Sequence, residues 1–301
     1  GKGDDLFSRL SEYDPALVRK CIARYFEVDY SAPQAFDLAN VPELPQRPPT
    51  LCPGCSHRAS FYAVKKAASE LGMETICPTD IGCYTLGFLA PLSMGDFLIC
   101  MGSSVGTSCG FAKVNDKKVI SFIGDSTFFH SGIPGLINAV FNNHNFTLVI
   151  LDNGITAMTG HQPNPGVDMA QFNLAGYGRL VIEDVVKALG VPHITVIKPY
   201  KIKKSMEAIK DALNFKGVSV IIAQEMCTLY AKSLKKALGK PFYVSDKCKN
   251  HRVCVNELAC PAFHIKDNRV HIDPVLCVGC TICAQICPEN AILPLKDKTE
   301  G

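Results

Sequence analysis

Two short, uninterrupted apolar runs stand out from the amphipathic segments around them. Val119-Ile120-Ser121-Phe122-Ile123 ends at Gly124-Asp125-Ser126, and Thr147 to Leu151 ends at Asp152-Asn153-Gly154. Apolar runs of this length read as strands buried on both faces, as in a parallel sheet covered by helices. Gly132 to Asn142 lies between them with the spacing of the crossover helix of one βαβ unit. The alternation continues downstream: Ile182 to Leu189 predicts a helix, His193 to Ile197 a strand, Lys201 to Leu213 a helix and Val218 to Ala223 a strand. Upstream, Phe61 to Leu71 predicts a helix packed through alanines, and Asp5 to Leu10 and Pro15 to Phe26 are helical patches. The fold class is therefore α/β, a doubly wound, mostly parallel sheet.

Proline crowds Val41 to Thr50 and predicts an extended linker. It closes an N-terminal helical segment, residues 1–49. A main domain at 50–241 follows, then a small, cysteine-rich α+β module at 242–301. A chain of 301 residues, 47% of them apolar, is long enough for one large and one small packed unit. A formal charge of +3 gives no case for nucleic acid, and the lysines of 198–204 and 232–240 read as solvated faces. No apolar run is long enough to span a bilayer, so no membrane partner is expected. Gly1 is preceded by neither methionine nor a signal-like segment, which reads as a processed or excised piece.

Cysteine changes the picture: there are 15, with no tryptophan. In a chain neither small nor secreted-looking, clustered thiols point to a reducing cytoplasm and to metal or iron–sulfur ligation. Cys277-x-x-Cys280-x-x-Cys283-x-x-x-Cys287-Pro288 matches the bacterial ferredoxin run, in which three thiolates wrap one cube and the fourth reaches another. A zinc site does not need this cadence. The partner run, Cys248-x-x-His251-x-x-Cys254, continues over five residues to Cys260-Pro261, with His251 where a cysteine belongs. Crossed ligation predicts a [4Fe–4S] cluster on Cys277, Cys280, Cys283 and Cys260. The second set is Cys248, Cys254 and Cys287, with or without His251. That site reads as a [3Fe–4S] cluster, a histidine-ligated [4Fe–4S] cluster or a degenerate one. An imidazole in place of a thiolate removes negative charge and raises the reduction potential.

Asp125 and Asn153 end the two apolar runs with hard oxygens at the carboxyl edge of the sheet, which suits Mg²⁺ bridging to a phosphate. Cys52-Pro53-Gly54-Cys55 forms a turn at a helix start, where the dipole favours thiolate. A redox pair is one reading of it, although no strand precedes the turn. Cys83 follows Gly82, with Cys77 its nearer rival, while Cys21, Cys100 and Cys109 read as small buried hydrophobes. Gly102 opens a small-residue segment that serves either close helix packing or close approach of a ligand. His57 and His161 are, on composition alone, cap or loop residues.

Gly124-Asp125-Ser126 followed by Asp152-Asn153 resembles the Gly-Asp-Gly…Asn-Asn motif of thiamine-diphosphate enzymes, departing from it at Ser126 and Asp152. The resemblance implies a thiamine diphosphate-binding fold. It also implies Mg²⁺ held by the side chains of Asp125 and Asn153 and the carbonyl of Ile155. Cys52-Pro53-Gly54-Cys55-Ser56-His57 and Gly82-Cys83 resemble segments of 2-oxoacid:ferredoxin oxidoreductases. This implies a [4Fe–4S] cluster on Cys52, Cys55, Cys83 and Cys227 beside the thiazolium, with His57 as a diphosphate contact and Gly102 nearby. Thr159-Gly160-His161-Gln162 is similar to the Thr-Gly-Gly-Gln segment of that family, which implies His161 in the substrate pocket.

From Thr50 to Leu295 the order of motifs resembles the C-terminal half of the large subunits of indolepyruvate:ferredoxin oxidoreductases. The resemblance implies decarboxylation of an aryl 2-oxo acid to acyl-CoA and CO₂, with electrons leaving through the clusters to ferredoxin. Pyruvate or 2-oxoglutarate is the alternative acid, and a purely electron-carrying subunit is the alternative role. It further implies a partner chain or domain supplying the pyrimidine-binding half of the cofactor site, and a small oxidoreductase subunit.

Overall fold

The computed structural model describes residues 3, 6–10, 12–32, 42, 48–174, 176–236 and 238–295. The chain divides into two compact units, 1–48 and 49–301. The first contains α1 (Pro15–Tyr25), which starts where its sequence dictates: Pro15 suits the first turn, and the Asp14 carboxylate caps it by accepting from Leu17 N at 2.8 Å. The helix expected over Asp5 to Leu10 is not formed across residues 6–10, and Asp5 lies outside the described residues. There Ser8 Oγ takes the Leu10 amide at 3.0 Å, a local side-chain bond that competes with the helical ladder. Of the linker expected over Val41 to Thr50, only 42 and 48–50 are described, and they are extended or irregular.

In the second unit, α2 (Ser56–Glu70) precedes β1 (Thr75–Ile76), a 3₁₀ turn (Cys83–Phe88) and α3 (Ser103–Val114). Next come β2 (Lys118–Gly124), a first helical turn α4 (Asp125–Thr127), a π-turn (Phe128–Gly132) and α5 (Ile133–Phe141). β3 (Phe146–Asp152), α6 (Ile182–Ala188), β4 (His193–Ile197), α7 (Ile202–Asn214), β5 (Val218–Gln224) and α8 (Thr228–Ser233) complete the α/β part. The five strands are all parallel, in the order β1-β2-β3-β5-β4. Each expected strand and helix of this region is present with its ends moved by a residue or two, except α2, which begins five residues earlier, at Ser56.

Strand periodicity builds two cores. Phe122, Val149 and Ile221 face α2 and α7 with Phe61 and Ile209, whereas Ile123, Ile150 and Ile222 face α3, α5 and α6 with Val105, Leu136 and Val186. Every one of these side chains is buried. In register, Gly124 pairs with Leu151 and Asp152 with Gln224. The residues just past two adjacent central strands, Asp125 and Asn153, therefore emerge side by side at the carboxyl edge.

Residues 242–295 add β6 (Phe242–Val244), α9 (Val253–Asn256), β7 (Phe263–Lys266), β8 (Arg269–Ile272), α10 (Ile282–Ile286) and β9 (Ile292–Pro294). β6 pairs antiparallel with β9, and β7 with β8. This module shares a core with the α/β part: Phe242, Leu258, Ile272, Ile282 and Ile292 pack with Ala59, Tyr62 and Ile202. Gln285 fastens the seam, accepting from Ile202 N at 3.1 Å and donating to Tyr200 O at 2.7 Å. The cysteine-rich segment is thus held against α2 and the start of α7.

Candidate active site

The carboxyl edge of β2 and β3 opens into a cleft of about 540 Å³, open solvent included. It is lined by His57, Gly82, Cys83, Asp125, Ser126, Asn153 and Ile155, among others. The two loops are tied together: Gly154 N donates to Asp125 Oδ2 at 2.9 Å, from a φ of +71° that suits glycine. Ser126 N donates to the other carboxylate oxygen at 2.7 Å. Burial, and then the charge of Asp152, push the Asp125 carboxyl up to about 7. A cation beside these oxygens reverses that effect by favouring the ionised form. Asp125, Asn153 and Ile155 all line this cleft, and carboxylate, amide and carbonyl oxygens are donor types that suit Mg²⁺.

His57 is buried, and desolvation lowers it to about 4, so it is neutral. Its Nε2 lies 3.2 Å from Asn153 Nδ2 and accepts from it, which turns the amide oxygen toward the loop, where it accepts from Ile155 N. The Tyr84 ring stands edge-on to His57, and its hydroxyl donates to Ile81 O at 2.8 Å. A Cβ at either Gly82 or Gly124 would meet Tyr84 Cε1 at 2.4 Å, so both glycines make room for this ring. Gly102 does not line the cleft, although its neighbour Met101 does. At φ +86° it donates to Asp80 Oδ1 at 2.7 Å, and a Cβ there would strike Ser131 Oγ at 2.6 Å.

Cys83 joins the cleft to a group of thiols. The charges of Cys227 and Cys52 act on Cys83, that of Cys227 acts on Cys52, and that of Cys52 acts on Cys55. Cys227 N donates to Asn153 O at 3.0 Å, which sets this group beside the loop that carries Asn153. The helix dipole does not win here: desolvation pushes Cys55 up to about 12 and Cys83 to about 11. Such thiols hold charge only against a metal, whose binding releases their protons. His161 is not part of the cleft lining; its Nε2 lies 3.9 Å from Cys227 Sγ. Cys77 is buried in the core beneath α2, so the rival to Cys83 is a packing residue. Cys21 and Cys109 are buried as expected, but Cys100 is exposed, in the turn that leads into α3.

In the C-terminal module, crossed pairs of segments enclose two voids. Cys260, Cys277, Cys280 and Cys283 line one, and Cys248, His251, Cys254 and Cys287 line the other. Backbone amides donate to sulfur at 3.4 Å in both: Phe242 N to Cys277, Asn250 N to Cys248 and Ala291 N to Cys287. Burial and neighbouring thiols raise Cys280 and Cys254 to about 11, and Cys283 further still. Gly279, at φ +73°, lets the chains cross, since a Cβ would meet Gly239 C at 2.5 Å. Among the described residues no three His, Cys, Asp or Glu converge on a single-ion site. In a cubane each thiolate binds a different iron, so its sulfurs ring a void instead of meeting at a point. Four cysteines around one void, at the spacing of the ferredoxin run, are the donor set an iron–sulfur cluster takes.

Three residues of this region lie outside the motifs: Tyr84, Arg58 and Glu289. Glu289 Oε1 accepts from His251 Nε2 at 2.8 Å, and Arg58 lines the first void. The signal each carried in the sequence is its place beside a motif: Arg58 after His57, Tyr84 after Gly82-Cys83 and Glu289 after Cys287-Pro288.

Residues 80–223 match the thiamine pyrophosphate enzyme, C-terminal TPP binding domain, and residues 270–293 match the 4Fe-4S binding domain. The chain is 48% identical over 298 residues to the indolepyruvate oxidoreductase subunit IorA of Methanothermobacter marburgensis, covering 98% of this chain and 47% of that protein. The IorA subunit of Archaeoglobus fulgidus is 45% identical over 95% of this chain and 46% of its own length. The chain thus spans about half the length of these curated relatives. A 2-oxoglutarate:ferredoxin oxidoreductase of Magnetococcus marinus, solved with 2-oxoglutarate, coenzyme A and succinyl-CoA bound, superposes with a TM-score of 0.54 at 22% identity, over 61% of this chain and 66% of that one. That likeness shows the shared fold.

Proposed function

We propose, since this chain belongs to the IorA family of indolepyruvate oxidoreductase subunits, that it is the diphosphate-binding and electron-collecting part of an aryl 2-oxoacid:ferredoxin oxidoreductase. The reaction is oxidative decarboxylation of an indolepyruvate-like acid to acyl-CoA and CO₂, with ferredoxin taking the electrons. The observation that carries this reading is the adjacency of two donor sets: Asp125 and Asn153 share a cleft with Cys83, and Cys227 hydrogen-bonds to Asn153. Thiamine diphosphate, when bound, supplies the electron sink for decarboxylation. The chain's own residues do the rest. Asp125, Asn153 and the Ile155 carbonyl hold Mg²⁺, and neutral His57 orients the Asn153 amide. Cys52, Cys55, Cys83 and Cys227 hold a cluster at the cleft, with His161 beside Cys227.

Cys260, Cys277, Cys280 and Cys283 hold a second cluster. Cys248, Cys254 and Cys287 hold a third, with His251 as its fourth ligand. His251 bonded through Nε2 to Glu289 has the carboxylate–histidine arrangement of metal-bound imidazoles. A partner chain or domain supplies the pyrimidine-binding half of the cofactor site, and a small subunit completes the assembly. No helix among the described residues is long and apolar enough to cross a membrane.

Calorimetry tests the cleft. Wild type binds thiamine diphosphate in the presence of Mg²⁺, and Asp125→Ala weakens binding by on the order of a hundredfold or more. Equal affinities sink the assignment. Iron and acid-labile sulfide counts test the clusters: about twelve irons per chain fit three cubes, and about four leave only the complete ferredoxin quartet. Viologen reduction by this chain alone with thiamine diphosphate, Mg²⁺ and an arylpyruvate would remove the need for a partner half.

A further inference from the structure

Arg58 follows His57 on α2 and has no part in either cysteine motif, yet it is only 2% exposed. Nη1 donates to Leu258 O at 2.8 Å and to Ala259 O at 2.6 Å, and Nη2 donates to Leu51 O at 2.6 Å. These carbonyls sit just before Cys260 and Cys52. One guanidinium therefore ties the peptide entering the cleft-side thiol group to the peptide entering the ferredoxin quartet. Its Nε–H is buried and has no hydrogen-bond partner among the described residues. The same side chain lines the void ringed by Cys260, Cys277, Cys280 and Cys283. Burial lowers its pKa, and the nearby thiols Cys260, Cys55, Cys52 and Cys280, once ionised, oppose that effect. Between the two groups the packing is tight, since a Cβ on Gly54 would meet Val278 Cγ2 at 2.2 Å and Cys280 Cβ at 3.4 Å.

A buried cation whose partners are three neutral carbonyls is expensive unless a negative charge sits close by. No carboxylate supplies that charge here; the thiolates and the clusters they hold do. We infer that Arg58 is the shared counter-charge of two clusters, with its free Nε–H donating to a sulfur at the ferredoxin quartet. The inference rests on the reading above that both cysteine groups hold iron–sulfur clusters. Reduction adds one electron and no proton to a cube, so the reduced form is the more anionic. A fixed guanidinium in a low-dielectric interior favours that form and raises the potential. Because Arg58 cannot lose its proton at working pH, the effect persists across the pH range. The role is one of positioning and tuning; Arg58 is not proposed to touch the 2-oxo acid.

The test uses the anaerobically purified full chain, its iron and sulfide content, and an EPR-monitored titration with dithionite. Arg58→Met removes the charge and Arg58→Lys keeps it without the fork. At equal iron content, Arg58→Met is expected to shift the reduced-to-oxidised ratio of the quartet cluster about tenfold toward oxidised at a fixed potential, which is 59 mV for a one-electron couple. Arg58→Lys shifts it less. An iron-replete Arg58→Met with unchanged ratios makes Arg58 a structural clamp only and overturns the inference. Should Arg58→Met fail to assemble, wild-type chain labelled with ¹⁵N-arginine decides. Pulsed EPR of the reduced cluster is expected to show a ¹⁵N coupling that vanishes in Arg58→Lys, and absence of that coupling overturns the inference. A wild-type chain without iron and sulfide at the quartet would overturn the cluster reading itself, a result distinct from either of these.

Discussion

The two voids of the C-terminal module descend from one repeated cysteine pattern, yet they sit in different surroundings. The void of Cys260, Cys277, Cys280 and Cys283 is pressed against α2. Ile282 beside it is buried, and Arg58 is held at its rim by three carbonyls. The void of Cys248, Cys254 and Cys287 faces outward: the His251 side chain is 48% exposed and Glu289, its partner, 25%. The first has four cysteines and a buried cation; the second has three cysteines, a histidine and a surface carboxylate. Charge and solvation thus separate two sites that the repeat makes look alike. Both substitutions work in one direction, since a cation near the first site and an imidazole at the second each lower the cost of adding an electron.

The largest effect should come from Cys283→Ala. It removes a ligand of the buried site and empties part of a packed seam, so about four irons per chain should be lost while the second site keeps its signal. Loss of both signals would show that the sites do not assemble independently. Next, His251→Ala should leave three thiolates and convert the outer site to a [3Fe–4S] cluster, read as a signal in the oxidised protein; an unchanged signal would show that His251 is no ligand. His251→Cys should keep the iron count and lower the outer potential by restoring a thiolate charge. A potential that stays put would erase the contrast drawn here. The smallest change is expected from Glu289→Gln, which leaves every ligand in place and weakens only the hydrogen bond that orients His251. A loss of outer-site occupancy on chelator challenge of between about tenfold and a hundredfold is expected, with the inner site unaffected.

Much of the α/β part was legible because strand burial follows local pattern. The runs at 119–123 and 147–151 carry their own length and polarity, and the glycines and oxygens that end them mark the edge of the sheet. The cysteine cadence was legible for the same reason, as short spacings survive folding unchanged. Where a local competitor was overlooked the reading failed: Ser8 takes an amide in the stretch 6–10 expected to be helical. The resemblance implies His161 in the substrate pocket and Gly102 near the thiazolium; the structure sets His161 beside Cys227 and Gly102 against Asp80.

What the sequence by itself determined is the order of strands and helices, the two oxygen donors at neighbouring strand ends, and the pairing of cysteines into crossed sets. These follow from spacing and polarity, which any short window of the chain contains. Only the tertiary structure decided that Cys55 is desolvated in spite of its helix dipole, that Gly82 and Gly124 yield to the ring of Tyr84, and that Arg58 spans segments some 200 residues apart in the chain. Burial and long-range hydrogen bonds are sums over residues distant in sequence, so no local pattern carries them.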